Sequence, residues 1–318
     1  MTDRPTPYPP VALVGPTAAG KSTVALAAAL SSQLDVGSGG AVEIVAVDAM
    51  QVYRGMDIGT AKPDAGEQGL VAHHGIDLFD PWEDGTVADY ARHADAAIAA
   101  IAGRHHRALL VGGTGLYLRA LVDRLEPPGQ WPAIRARLEA EATDHGAVAV
   151  LHARLAARDP IAAARMEPTN TRRIVRALEV CEGSGRAFSS FGPGLDAYLP
   201  TDIVQIGLQW ERPVLAARIE QRVHQMMAAG LLAEVERLVA APGGLSRTAR
   251  QALGYTELLE HLDGRWSLDE AVAATVLRTR QFAVRQERWF RRDPRLRWVF
   301  IHDDPLEALP VLIESLSA

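Results

Sequence analysis

Residues 11–22 read VALVGPTAAGKS, an apolar run that passes into G-x-x-x-x-G-K-S and then into the alanine-rich stretch Ser22–Leu30. Strand, glycine-bracketed loop and helix in that order make a phosphate cradle. Gly15 and Gly20 let the backbone curl so that successive amide N–H groups, those of Thr17, Ala18 and Ala19 between them, face one point at a helix N-terminus. Lys21 adds a compact mobile charge, and the Ser22 hydroxyl can ligate Mg²⁺. Of the 33 basic residues only Lys21 and Lys62 are lysines. A hydrated ammonium is not interchangeable with a planar guanidinium, so Lys62 is singled out too, with no partner assigned.

The chain has 318 residues, 48% of them hydrophobic, which suits a globular protein of one or two domains with a sizeable core. It contains no run of about 18 apolar residues, so no membrane segment is expected. A single cysteine, Cys181, excludes an internal disulfide and a multi-cysteine zinc site, and points to a reducing, cytoplasmic compartment. The net charge of −6 argues against nucleic-acid binding by the whole surface. Its distribution is uneven, however. The segment Arg278–Arg297 carries eight arginines against two acids, and Arg165, Arg172, Arg173 and Arg176 form a second cluster.

Apolar runs of strand length lie at Val11–Val14, Glu43–Val47, Ala108–Val111, Ile203–Leu208 and Trp298–Ile301, separated by helical patterns. This alternation predicts an α/β fold, a doubly wound parallel sheet of the P-loop NTPase-like kind. The third and fourth runs are about 90 residues apart, too far for a single crossover. An inserted, mainly helical subdomain is expected over 126–200, with helices Ala133–Thr143, Gly146–Arg158, Ile161–Arg165 and Asn170–Glu182; residues 1–125 and 201–318 form the core domain. Gln33–Ala41 reads as a flexible loop.

A phosphate loop alone leaves a kinase, an ATPase and a GTPase open. The second strand narrows the choice, because it runs into DAMQVYRGMDIGTAKP and so puts Asp48 at a strand's carboxyl end, where doubly wound folds keep their sites. A carboxylate beside a phosphate loop can ligate Mg²⁺ or take a proton from a nucleophile.

With GPTAAGKS and DAMQVYRGMDIGTAKP stand HHGIDLFDP (His73–Pro81), LLVGGTGLY (Leu109–Tyr117), TRRIVRALEV (Thr171–Val180), ARIEQRVHQMMAAG (Ala217–Gly230), RQALGY (Arg250–Tyr255) and TRQFAVRQERWF. In this order and spacing the segments resemble the bacterial tRNA dimethylallyltransferase family over essentially the whole chain. The resemblance implies transfer of a dimethylallyl group from dimethylallyl diphosphate to N6 of the adenosine 3′ of the anticodon, position 37. The loop would then hold diphosphate rather than ATP. Asp48 matches the family's proton acceptor, Thr114 the threonine near the reacting groups, and Arg218 an arginine that contacts diphosphate. Mg²⁺ near Ser22 is the implied cofactor.

Ala49, Met50 and Gln51, Arg172, Arg173, Ile174, Val175 and Arg176, and Arg250, Gln251, Ala252, Leu253, Gly254 and Tyr255 match segments that contact the tRNA anticodon stem-loop. On this resemblance the arginine clusters become a tRNA footprint, and a monomer is expected. Two departures stand out. Ala49 replaces a frequent serine, and the single cysteine speaks against the zinc finger of eukaryotic relatives. The rivals are a small-molecule kinase, a non-catalytic RNA-binding module, and an enzyme that prenylates free AMP.

Overall fold

The structure is a computed structural model that describes residues 8–32, 34, 40–125, 127–192, 194–195 and 197–318. Most of the expected loop Gln33–Ala41 lies outside the described residues. Six strands, β1 (Val11–Val14), β2 (Val42–Val47), β3 (His73–His74), β4 (Arg107–Gly112), β5 (Val204–Trp210) and β6 (Leu296–Ile301), form one parallel sheet in the order β3-β2-β4-β1-β5-β6. Every pairing is parallel, as connection through helices requires.

The central strands are buried on both faces, which is why they read as continuous apolar runs rather than alternating ones. Alternate residues feed different cores. Ala12, Val14, Val45, Val47 and Leu110 face a cluster completed by Tyr90, Leu118, Val235 and Phe290. Leu13, Ile44, Leu109 and Leu208 face one completed by Val24, Ile219 and Leu312. Two layers of helices therefore sandwich the sheet, in the P-loop NTPase-like arrangement.

The chain divides into two compact units, one formed by the segments up to Asp123 and from Pro200, the other by Arg124–Leu199. In the second unit the helices Pro132–Glu141, His145–Arg158, Pro160–Ala164 and Thr171–Ser184 enclose their own core of Leu138, Leu151, Leu155, Ile174 and Leu178.

At the start of β2, Glu43 is 5% exposed. It accepts from Arg104 (3.0 and 2.8 Å) and contacts His74 Nε2 (2.6 Å) and His106 Nδ1 (2.7 Å). Burial alone would raise its pKa, but these hydrogen bonds outweigh it and take the carboxyl from 4.5 down to about 2. The folded state thus holds this charge more readily than the unfolded chain does. The resulting stability is fully present above the unfolded value and is lost as pH falls from about 4.5 towards 2. Urea titrations at pH 7 and pH 3 should show a steep acid loss in the wild type and a shallower one in Glu43→Gln; parallel losses would remove Glu43 as the cause.

Candidate active site

The loop after β1 is shaped by its backbone before any side chain acts. Gly20 sits at φ +88°, and a Cβ there would lie 2.4 Å from Pro305 Cβ, so only glycine fits. Ala18 and Ala61, which line the same cavity, hold φ of +62° and +47°. Left-handed backbone at a non-glycine residue costs about 1 kcal/mol or more and gathers at functional sites.

The helix Lys21–Ala29 begins at this loop, and the first amides of a helix have no carbonyl one turn back. A cavity of about 490 Å³ opens there, its wall built from Ala18, Gly20, Lys21, Ser22, Arg218 and Arg222 among others. The Thr17 N–H donates to Gln286 Oε1 (2.9 Å), and the Ala19 N–H donates to the Pro16 carbonyl (3.3 Å). Gly15 and Ala19 shape the loop without lining the cavity.

Positive charge converges on this cavity. Lys21 Nζ donates to the Pro16 carbonyl (2.8 Å). Burial, reinforced by the charge of Arg222 and partly offset by Asp48, takes its pKa from 10.5 to about 8. The helix Arg212–Ala228 brings in Arg218, whose guanidinium lies 4.4 Å from the Trp210 ring centre while its Nε donates to the Ala18 carbonyl (3.0 Å). Trp210 Nε1 in turn donates to the Ala19 carbonyl (3.0 Å).

Arg222 lies one turn beyond Arg218, and the sequence reading passed over it. Burial lowers its pKa below the usual arginine value, and the charge of Asp48 opposes that shift. Its signal was available: i and i+4 share a helix face. The site gathers an anion best while Lys21 is protonated. Affinity for inorganic diphosphate should therefore fall as pH rises through about 8, with proton uptake on binding at the higher pH. Calorimetry in two buffers of different ionisation enthalpy, on the wild type and on Lys21→Met, separates this from the titration of diphosphate itself, and the same profile in both would exclude Lys21 as the titrating contact.

Asp48 ends β2. Its Oδ1 accepts from the amides of Met50 (2.8 Å) and Gln51 (3.3 Å), and Oδ2 takes no part in that turn. Thr114, just past β4, accepts the Ala49 N–H at Oγ1 (3.0 Å) and donates its own N–H to the Val47 carbonyl (3.2 Å). Asp48 and Thr114 thereby come together, with the charges of Lys21 and Arg222 within reach of the carboxylate. Gln51 Nε2 donates to the carbonyls of Thr60 (3.1 Å) and Ala61 (3.0 Å).

Lys62 has a structural role. Its ammonium, 3% exposed, donates to Asp57 (2.6 Å), Asp77 (2.6 Å) and the Tyr53 carbonyl (2.8 Å), three acceptors for three donors. A guanidinium could not gather these three points, which accounts for a lysine here.

The expected RNA-contacting segments separate into surface and core. Arg172, Arg173, Arg250 and Gln251 are exposed. Ile174, Val175, Ala252 and Tyr255 are buried, their side chains packed into the hydrophobic cores. Leu253 is half-buried and Gly254 buried, while Ala49 and Met50 pack on the main core. Arg176 is turned inward, donating to the Pro128 carbonyl (2.7 Å) and pairing with Glu179 (3.0 Å).

The Arg278–Arg297 segment is also largely spent within the protein. Arg278 pairs with Glu257, Arg280 with Glu220, Arg291 with Glu287, Arg295 with Asp123 and Asp293, and Arg297 with Glu314. Arg285, Arg288 and Arg292 are exposed, as are the paired Arg291 and Arg297.

A family model described as IPP transferase matches residues 51–293. The chain is 49% identical over 310 residues to a tRNA dimethylallyltransferase of Kineococcus radiotolerans, covering 97% of this chain and 96% of that one. It is 50% identical over 289 residues to a tRNA dimethylallyltransferase of Streptomyces coelicolor, covering 91% and 89%. Among solved structures, the full-length tRNA isopentenylpyrophosphate transferase of Bacillus halodurans matches with a TM-score of 0.66 and 37% identity over 97% of each chain.

Proposed function

Because the chain belongs to the IPP transferase family, we propose that its Asp48 site carries out tRNA dimethylallyl transfer, from dimethylallyl diphosphate to N6 of the adenosine at position 37. One observation carries the assignment of roles. A carboxylate with Oδ1 anchored by two amides faces the same centre as Lys21 and Arg222, whose cavity holds the concentrated positive charge. A base stands beside a place for a departing anion.

In the reaction the bond between the allylic carbon and the bridging diphosphate oxygen breaks, and diphosphate leaves with the electron pair. The N6 lone pair forms the new C–N bond, and the amine proton passes to Asp48. The amine is a weak nucleophile because its lone pair is delocalised into the ring, so removal of its proton and stabilisation of the leaving group both matter. Lys21, Arg218, Arg222 and the open loop amides stabilise the diphosphate. Thr114 holds the backbone beside Asp48 in place.

Among the described residues no group of three or more His, Cys, Asp or Glu side chains could hold a metal ion by itself. Ser22, on the cavity wall, would offer its hydroxyl to Mg²⁺ beside the bound diphosphate. Bound there it would neutralise charge on the departing diphosphate.

The adenosine must leave its stack to reach a strand-end carboxylate. The exposed Arg172, Arg173 and Arg250 suit grip on phosphates and stacking on splayed bases of the anticodon stem-loop. No helix among the described residues is long and apolar enough to cross a membrane. We place the enzyme in the cytoplasm, acting as a monomer.

The test is to incubate the protein with Mg²⁺, dimethylallyl diphosphate and unmodified tRNA, then digest the tRNA and analyse its nucleosides by mass spectrometry. Prenylated adenosine next to the anticodon without ATP is the expected product. Transfer of phosphate from ATP with no prenylated adenosine would instead establish the kinase reading.

A further inference from the structure

We propose that Gln286 is a positioning residue that fixes the phosphate loop against the Thr114–Asp48 corner, and so sets the distance between leaving group and base. Gln286 lies in the long helix Leu268–Phe290 and is 7% exposed. Its Oε1 accepts the Thr17 N–H (2.9 Å) and its Nε2 donates to the Gly113 carbonyl (2.9 Å). The orientation of the amide follows from its partners, since a backbone N–H only donates and a carbonyl only accepts.

These two contacts close a continuous path. Thr17 belongs to the phosphate loop, Gly113 precedes Thr114, Thr114 Oγ1 accepts the Ala49 N–H, and Ala49 follows Asp48. The space is built around the side chain as well. A Cβ on Gly113 would lie 2.3 Å from Gln286 Nε2, so the loop after β4 approaches as closely as a side chain there would forbid.

The chemistry demands one donor and one acceptor on a single planar group. Glutamine supplies both, ionised glutamate only acceptors, and methionine neither at similar length. The inference rests on the prenyl-transfer reading, in which nucleophile and leaving group act on one carbon and their separation governs the chemical step. Misplacement by about 1 Å costs on the order of a hundredfold in rate.

The variants Gln286→Met and Gln286→Glu, with the wild type, test this through single-turnover rates at saturating dimethylallyl diphosphate and tRNA. Alongside are run the dissociation constants of both substrates, the melting temperature, and hydrogen exchange at the Thr17 amide. We expect Gln286→Met to lose about tenfold to a hundredfold in the single-turnover rate, with both dissociation constants within about threefold of wild type. Gln286→Glu should be similarly slow while its carboxyl is ionised and recover relative to wild type at a pH low enough to protonate it, because a protonated carboxyl regains the donor.

An unchanged rate in Gln286→Met, a loss confined to substrate affinity, or Gln286→Glu tracking the wild-type pH profile would overturn the proposal. If the wild type transfers no prenyl group, the functional reading fails, while the bridge is still judged by exchange. Protection at Thr17 lost in Gln286→Met upholds the bridge, and protection retained refutes it.

Discussion

Asp48→Asn should lower the single-turnover rate of prenyl transfer by roughly a hundredfold or more and leave tRNA affinity nearly unchanged. Asparagine keeps a side-chain carbonyl where Oδ1 accepts from Met50 and Gln51, so the turn after β2 retains its two hydrogen bonds. The amide cannot take up a proton from the adenine amine. Substrate positions are therefore preserved while proton removal is lost. Quench-flow with radiolabelled dimethylallyl diphosphate measures the rate, and filter binding measures tRNA affinity. A rate within a few-fold of wild type would show that the proton goes elsewhere, and a large loss of tRNA affinity would make Asp48 a binding residue.

Glu234→Ala should destabilise the core unit by about 4 kcal/mol, a drop in melting temperature of roughly 10 °C. The Glu234 carboxylate is 4% exposed and accepts the backbone N–H groups of Asp57 (3.0 Å), Ile58 (2.8 Å) and Gly59 (3.1 Å), together with the Tyr255 hydroxyl. Removing it leaves four donors without their acceptor, at about 1–3 kcal/mol for each that stays buried. Tyr255→Phe deletes one of the four and should cost about 1 kcal/mol, so the two variants calibrate each other. Urea denaturation gives both values. An alanine variant within 1 kcal/mol of wild type would mean that the loop finds water or another acceptor.

The sheet was legible because its information is local. Strands buried on both faces are apolar without a break, and β1 is followed by a loop whose glycine and lysine spacing has one mechanical reading. His73–His74 escaped because two polar residues at an edge carry no period; β3 exists only through its pairing with Ile44 and Val45. The same limit decided the arginines. Whether Arg278 or Arg295 is free depends on Glu257 and Asp123, and sequence separation conceals such partners. Gln286 was hidden likewise, since its two acceptor and donor partners lie 269 and 173 residues away. Arg222 was the avoidable omission, because helical spacing from Arg218 announces it.

The three-acceptor seat of Lys62 has a consequence for covalent chemistry. Both lysines line the cavity, but with Lys62 locked among two carboxylates and a carbonyl, Lys21 is the side-chain amine that an acylating reagent addresses more readily. Its pKa of about 8 leaves a share of it uncharged and nucleophilic under mild alkaline conditions. Because it lines the cavity, acylation mapped to the peptide that carries Lys21, and so separated from that of the α-amino group, reads whether the phosphate cradle is open or filled. The scarcity of lysine thus turns a general labelling reaction into a reporter on one site.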